Sequence, residues 1–496
     1  MKIVHVASEY NPLAKVGGLG DVVGGLTLAL SKEGSDVEVF LPKYKNLKTE
    51  QLKNLKLIEK NFKIFEKGVW HSNKIYSAIF NKVKFFLIED DQNYFDRAIY
   101  GYKDDVLRFL YFSKTALDYL KQRNTKIDIL HLHDWPTSFI APIYKEIYSK
   151  ENPIINSIVL SIHSMQYQGL CQVQDLNNLD IDGNYFFKED RLKDPVNPND
   201  LNLLKGGIVY SDFVIPVSEN YAKEILTKKY SENLLSTIEK HKKKIKGLIN
   251  GIDEEFWNPS SDKFIFQKYS ADDAAQPLVE AKKSNRKHLQ ELLNLEKNDY
   301  PLICSVGRLV PQKGPELLKH AILQMKNKKV QFVLLGTFFD EPTRKMFFDL
   351  KDNLKNNRNI SLNFEFNEKL SHIIFSAADF IVIPSLFEPC GLTQMIGFRY
   401  GTIPIVRKTG GLADTVFDLN DSTIPEEKRN GFSFDEFSAK EFVSAINRAL
   451  KFKEEHNSEF NLLVQKNMKL DFSWGKTAKQ YLEIYKMLNQ TKNFFK

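Results

Sequence analysis

The chain has 496 residues, 42% of them hydrophobic, with 70 basic and 63 acidic side chains and a formal charge of +7. That length suits two or three domains with sizeable cores, and so mild and mixed a charge argues against a nucleic-acid binder. No apolar run reaches the ~18 residues of a membrane helix; three distant cysteines, Cys171, Cys304 and Cys390, form no CxxC pair, which argues against structural zinc or a disulfide framework and suits a reducing cytosol.

In chain order, KIVHVAS (Lys2 to Ser8) reads at once as a strand. It has no charged n-region, h-region or cleavage site, so neither a secretion signal nor a transit peptide is expected, and the location expected is cytoplasmic. Further strands follow at DVEVFLP (Asp36 to Pro42), IDILHLHD (Ile127 to Asp134), SIVLSIH (Ser157 to His163) and DFVIPVS (Asp212 to Ser218), with a helical pattern over Asp105 to Leu120. Such alternation predicts parallel strands with crossover helices. Asn73 to Asp90 reads instead as a hairpin inserted in that sheet. The basic run HKKKIKG (His241 to Gly247) lacks interleaved aromatics and reads as a solvated loop or domain joint. A polar stretch over Asn250 to Tyr300 separates the halves, with the boundary near Lys246 to Asn250. From Pro301 the alternation restarts with PLICSVG, KVQFVLLG, DFIVIPS and TIPIVRK. The prediction is two doubly wound α/β domains facing each other, with ligands beyond the carboxyl ends of the strands.

Several loops carry chemistry. KVGGLGDVVGGL (Lys15 to Leu26) fails the dinucleotide pattern, because Val23 stands where a third glycine is needed. It also fails the P-loop pattern, because Leu26 and Thr27 follow Gly25. What remains is a glycine-rich turn before a helix starting near Gly20–Asp21. It serves either helix packing or an anion held by backbone amides and Lys15. Two strands end in polar groups, His131, His133 and Asp134 on one and His163 on the other. The two imidazoles of HLH lie on one face with no third obvious metal ligand. GRLVPQKG places Arg308 and Lys313 after a strand, either as a diphosphate site or as two solvated cations. SLFEPCGLTQ sets Glu388 in a turn before a helix near Leu392, and TGGLADTV (Thr409 to Val416) adds a further glycine pair at a helix start.

In this order KVGGLGD, HLHDW, INGID, the RLxxQKG core, FEPCGLTQ and TGGLADTV resemble the bacterial glycogen synthases and plant starch synthases, retaining glycosyltransferases of the GT-B fold. The resemblance runs from Lys2 to WGKTAKQY near Tyr481. It implies two Rossmann-like domains facing a deep interdomain cleft. Residues 1–248 would be the catalytic domain on the glucan side, 249–475 the nucleotide-sugar domain, and 476–496 a helix returning to the first domain. The implied reaction moves glucose from ADP-glucose to the non-reducing end of an α-1,4-glucan such as glycogen, with retention and release of ADP. No cofactor, catalytic metal, nucleic acid or membrane is implied, and the oligomeric state is left open. Carried over by position, the catalytic set is Glu388, His163, Asp134, Lys313 and Arg308. The donor and its phosphates would meet Lys15, Gly17, Gly18, Asp21, Asn250, Arg308, Lys313, Phe366, Cys390, Gly391, Leu392 and Thr393. Main chain around His163 would stabilise the sugar ring.

The chain departs from the family in having Ser164 for Asn after His163, Gly307 for Ser before Arg308, Gly206 for Ala after Lys205, and Phe366 where Tyr is common. These departures bear on base choice and keep UDP-glucose open as the donor. Two other classes stay in view. A glycoside hydrolase would use paired carboxylates and water, and a non-catalytic glucan-binding protein would need no phosphate cluster. A glycogen phosphorylase-like enzyme shares the fold, but no motif for its pyridoxal lysine is present.

Overall fold

A computed structural model describes residues 1–150 and 153–493; the last three positions of the helix expected over 476–496 lie outside the described residues. The chain divides into two compact units, Met1–Gly251 together with the segment from Trp474, and Ile252–Ser473.

The first unit is built on β1 (Lys2–Val6), β2 (Asp36–Pro42), β3 (Lys53–Glu66), β4 (Val69–Phe80), β5 (Val83–Glu89), β6 (Ile127–His133), β7 (Ile155–Ile162) and β10 (Phe213–Pro216), with β8 (Leu170–Gln172) and β9 (Asp200–Asn202) forming a small separate ribbon. The sheet order is β10-β7-β6-β1-β2-β5-β4-β3. Its central strands are parallel and almost wholly buried, which is why they read as continuous apolar runs rather than alternating ones. The direction of strand addition reverses between β1 and β6, so their carboxyl ends open a crevice.

The hairpin expected over Asn73 to Asp90 is β4–β5, but it does not interrupt the sheet. β5 pairs parallel with β2, and β4 and then the 14-residue β3 extend the edge antiparallel. β3 escaped notice because its lysines and glutamates face solvent along an exposed edge, which hides the strand period. The C-terminal helix Trp474–Asn493 packs on the helix Gly18–Lys32, where Gly25 admits the Trp474 indole; a Cβ there would lie 2.0 Å from Nε1. The basic run is not wholly solvated. Lys244 is drawn inward and donates to the carbonyls of Val209 and Ser211.

The second unit is one all-parallel sheet, β13-β12-β11-β14-β15-β16. Its strands are β11 (Leu302–Leu309), β12 (Gln331–Phe338), β13 (Ile360–Asn363), β14 (Phe380–Ile383), β15 (Ile403–Arg407) and β16 (Phe432–Phe434). The order reverses between β11 and β14, which fixes a second crevice. The polar stretch before Pro301 is not a linker throughout. It contains the helix Ala275–Leu292, which buries Leu278, Ala281 and Leu289 and sends Lys282 to the carbonyls of Ser376 and Tyr400. Its narrow apolar stripe amid charged residues conceals it in the sequence. No helix among the described residues is long and apolar enough to cross a membrane.

Candidate active site

Each crevice gathers part of the expected residue set. In the first unit the loop after β1 folds around a carboxylate that sequence reasoning missed. Glu9, 3% exposed, accepts hydrogen bonds from the backbone N–H groups of Val16 (2.6 Å) and Gly17 (2.8 Å). Burial pushes its carboxyl up, and those two N–H groups pull it back. The loop's amides at Val16 and Gly17 are thus occupied by the chain's own glutamate. Lys15 is not a free cation. It pairs with Asp21 at 2.7 Å, and Asn11 donates to the same Asp21 oxygen.

The glycines of this loop divide by role. The helix starts at Gly18, earlier than Gly20–Asp21, with Gly17 as an extended N-cap. A Cβ on Gly18 would meet nothing within 4 Å, whereas one on Gly24 would lie 2.5 Å from the Asn11 carbonyl oxygen. Packing therefore demands Gly24 and Gly25, and leaves the space over Gly18 open.

At the end of β6, Asp134 sits at φ 54° and turns its carboxylate to accept from the backbone N–H of His163 at 2.7 Å. Burial pushes its carboxyl up to about 7, against the backbone bonds from His163 and Ser164. Behind it lie the imidazoles. Parallel register sets His5 of β1 beside His131 of β6, which supplies a third imidazole near the HLH pair. Ligand atoms of His5, His131 and His133 fall within 4.8 Å of one another. His133 stacks, however, on both other rings, with 19° to His131 and 19° to His5, while His5 is tilted 36° from His131. In-plane lone pairs on stacked rings do not converge on one point, as a tetrahedral cation needs. The nitrogens bond to one another instead: His5 Nδ1 lies 3.0 Å from His133 Nε2, and His133 Nδ1 lies 3.3 Å from His163 Nε2. Burial holds His5 and His163 down to about 3 and sets His131 and His133 well below the usual imidazole value, so all four are neutral at physiological pH. Asn250 is buried near the end of this unit, and its Oδ1 has no partner among the described residues.

In the second unit Arg308 is the penultimate residue of β11 and the turn Pro311–Lys313 follows. The Lys313 ammonium bonds the carboxylate of Glu388, which also accepts from Ser385 Oγ at 2.8 Å. Glu388 is 6% exposed, and its turn is pressed from behind by the glycine pair of TGGLADTV. Gly410 lies at φ 44°, and a Cβ on it would stand 1.9 Å from the Glu388 carbonyl oxygen; Gly411 N–H donates to that oxygen. Cys390 is buried, Gly391 takes φ 74°, and Leu392 caps the helix that starts at Thr393. Arg308 is exposed, with its guanidinium 5.6 Å from the Phe339 ring centroid. Phe366 projects, 82% exposed, from the loop after β13. The structure thus joins Lys15 to Asp21, Asp134 to His163 and Lys313 to Glu388. Sequence reasoning missed Glu9, His5, Ser385 and the buttressing role of Gly410.

Two Rossmann-like sheets, one bearing a cation–carboxylate pair and an amide-rich turn at its switch point, define a GT-B glycosyltransferase class. Residues 2–240 match the starch synthase catalytic domain family and residues 259–461 match the glycosyl transferases group 1 family. The chain is 42% identical to the glycogen synthase of Protochlamydia amoebophila, covering 99% of each, and 41% identical to glycogen synthase 1 of Trichormus variabilis, covering 98% of this chain and 99% of that one. Its fold matches the catalytic domain of starch synthase IV from Arabidopsis thaliana bound to ADP and acarbose, with a TM-score of 0.93 and 39% identity over 99% of each chain. The chain belongs to the glycogen and starch synthase family; it is a glycosyltransferase of the kind that uses a nucleotide-sugar donor and a glucan acceptor.

Proposed function

We propose that the donor is ADP-glucose and that the enzyme extends the non-reducing end of an α-1,4-glucan with retention, releasing ADP in the cytoplasm. The observation that carries the donor choice is the likeness, across 99% of the chain, to a starch synthase whose structure holds ADP. Cys171, Cys304 and Cys390 are all buried and none is in a disulfide among the described residues, which agrees with a reducing compartment.

The second domain is the donor side in this reading. As the C1–O bond breaks, charge grows on the leaving diphosphate. Lys313, Arg308 and the amides at the Thr393 helix start neutralise it without reorganising, which is where preorganised electrostatics contributes most. Glu388 holds the Lys313 ammonium in place, and Ser385 fixes Glu388. Phe366, exposed and unencumbered, offers a face for the base.

The first domain is the glucan side. Asp134 and the main chain at His163 face the sugar, on which positive charge develops. An ionised Asp134 favours that charge, and its bond to the His163 N–H orients the peptide that follows. Lys15, Gly17, Gly18 and Asp21 form the loop that meets the donor phosphates, with Lys15 exchanging Asp21 for phosphate oxygen. Asn250 offers its unpaired carbonyl oxygen to the donor.

Calorimetric titration of the full chain with ADP and with UDP tests the donor choice. Tighter binding of ADP is expected; equal or tighter binding of UDP would move the assignment to UDP-glucose, a possibility the Phe366 position raises.

A further inference from the structure

Three of the four clustered imidazoles of the first unit form a hydrogen-bonded series. Tyr485 on the C-terminal helix lies 2.6 Å from His131 Nδ1, and His131 Nε2 lies 2.8 Å from Ser161 Oγ, so His131 is satisfied at both nitrogens. The other three run in series, His5 Nδ1 to His133 Nε2 and His133 Nδ1 to His163 Nε2. One end of the series is unpartnered. His5 is fully buried, and its Nε2 has no hydrogen-bond partner among the described residues.

A neutral imidazole has one donor nitrogen and one acceptor nitrogen. The series can therefore run in only two ways. If protons point toward His5, its Nε2 must carry a buried hydrogen with nothing to accept it, and orphaned buried N–H groups are the rarer and costlier defect. If protons point away, His5 Nδ1 donates to His133 Nε2 and His133 Nδ1 donates to His163 Nε2. The orphan is then a lone pair, and His163 is left with its hydrogen on Nδ1.

We propose that His5 and His133 are positioning residues that fix His163 as the Nδ1–H tautomer, so that it presents a hydrogen-bond donor to a sugar hydroxyl oxygen. The sugar contact of the ring rests on the proposed function, which sets the main chain of His163 at the sugar; the tautomer does not. Asp134 anchors the same residue through its backbone N–H, so peptide and ring of His163 are set by different partners. Burial keeps the chain neutral, so the direction does not invert by protonation at physiological pH.

The test is long-range 1H–15N correlation spectroscopy on the full, unliganded chain carrying 15N-histidine, with the His163 signals assigned by their loss in His163→Gln. A pyrrole-type Nδ1 and a pyridine-type Nε2 on His163 are expected. The reverse pattern, the one free imidazole favours in water, overturns the proposal. His5→Asp puts an acceptor where Nδ1–H donates, so it should reverse the series, shift His163 toward Nε2–H and lower kcat about tenfold, one hydrogen bond's worth, with donor KM within about twofold. His5→Asn, whose amide N–H replaces Nδ1–H, should restore both readouts. A shifted tautomer with unchanged kcat overturns the link to the sugar. A correct tautomer in a chain that transfers no glucose from any donor faults the functional reading and leaves the relay standing.

Discussion

The Lys313 ammonium is held by the Glu388 carboxylate, itself 6% exposed and bonded to Ser385. A buried acid beside a lysine would be an odd neighbour for a diphosphate if it only repelled the anion. Its value is orientation, since it removes the freedom of a long, flexible side chain before the donor arrives. Lys313→Ala should lower turnover by roughly two to three orders of magnitude, the ~2.7–4 kcal/mol of one transition-state donor. Steady-state kinetics with a thermal unfolding control reads this; near wild-type turnover in a folded protein would remove Lys313 from the mechanism.

Glu388→Gln keeps the shape and the contact with Ser385 but loses the charge facing Lys313. Turnover should collapse while ADP affinity changes little, because in the proposed mechanism Glu388 positions Lys313 for charge that grows only in the transition state. A fall in ADP affinity with unchanged turnover would make Glu388 a ground-state binding group.

Asp134 sets a pH dependence whose sign follows from burial. Its carboxyl is raised from 3.8 to about 7, so over that window the native protein keeps a proton that the unfolded chain has lost. This contribution to stability is full below the unfolded value and fades as pH rises through about 7. Transfer, which needs the anion in the proposed mechanism, should rise over the same range. In Asp134→Asn both slopes should flatten, and turnover should fall at every pH. Chemical denaturation and kcat measured across pH 5 to 8 check both; an unaltered slope in the variant would place the titration elsewhere.

The open space over Gly18 and the filled space at Gly25 separate function from packing within one loop. Gly18→Ala should leave stability unchanged or raise it by up to about 1 kcal/mol, as removing a helical glycine does, yet cut transfer. Gly25→Ala should destabilise by roughly 1–3 kcal/mol, because the new methyl meets the Trp474 indole. Urea denaturation beside a transfer assay distinguishes them. Full activity in Gly18→Ala would mean that the loop does not approach the donor.

What could be read in advance follows from the kind of signal each residue gives. Parallel strands buried on both faces announce themselves as apolar runs, so the β1, β6, β7, β11, β12, β14 and β15 segments were evident. The β3 edge and the Ala275–Leu292 helix were not, since their outward charges swamp a narrow apolar face. Lys313 and Glu388 were legible because each stands in a Gly/Pro-bounded turn after a strand. Their contact was not, because 75 residues separate them and only the sheet order joins their loops. His5 looked like part of a strand. It gained chemistry only through the β1–β6 register, which no local pattern encodes. Glu9 was visible as an acid eight residues before Gly17, but nothing in the sequence says that a loop will close on its own carboxylate.

The most direct measurement is nucleoside diphosphate release from ADP-glucose and from UDP-glucose, side by side, with and without glycogen primer. ADP release that depends on glycogen, matches glucose added to the glucan, and exceeds UDP release is the predicted result. Release without primer and with free glucose as the product, or a clear preference for UDP-glucose, would contradict it.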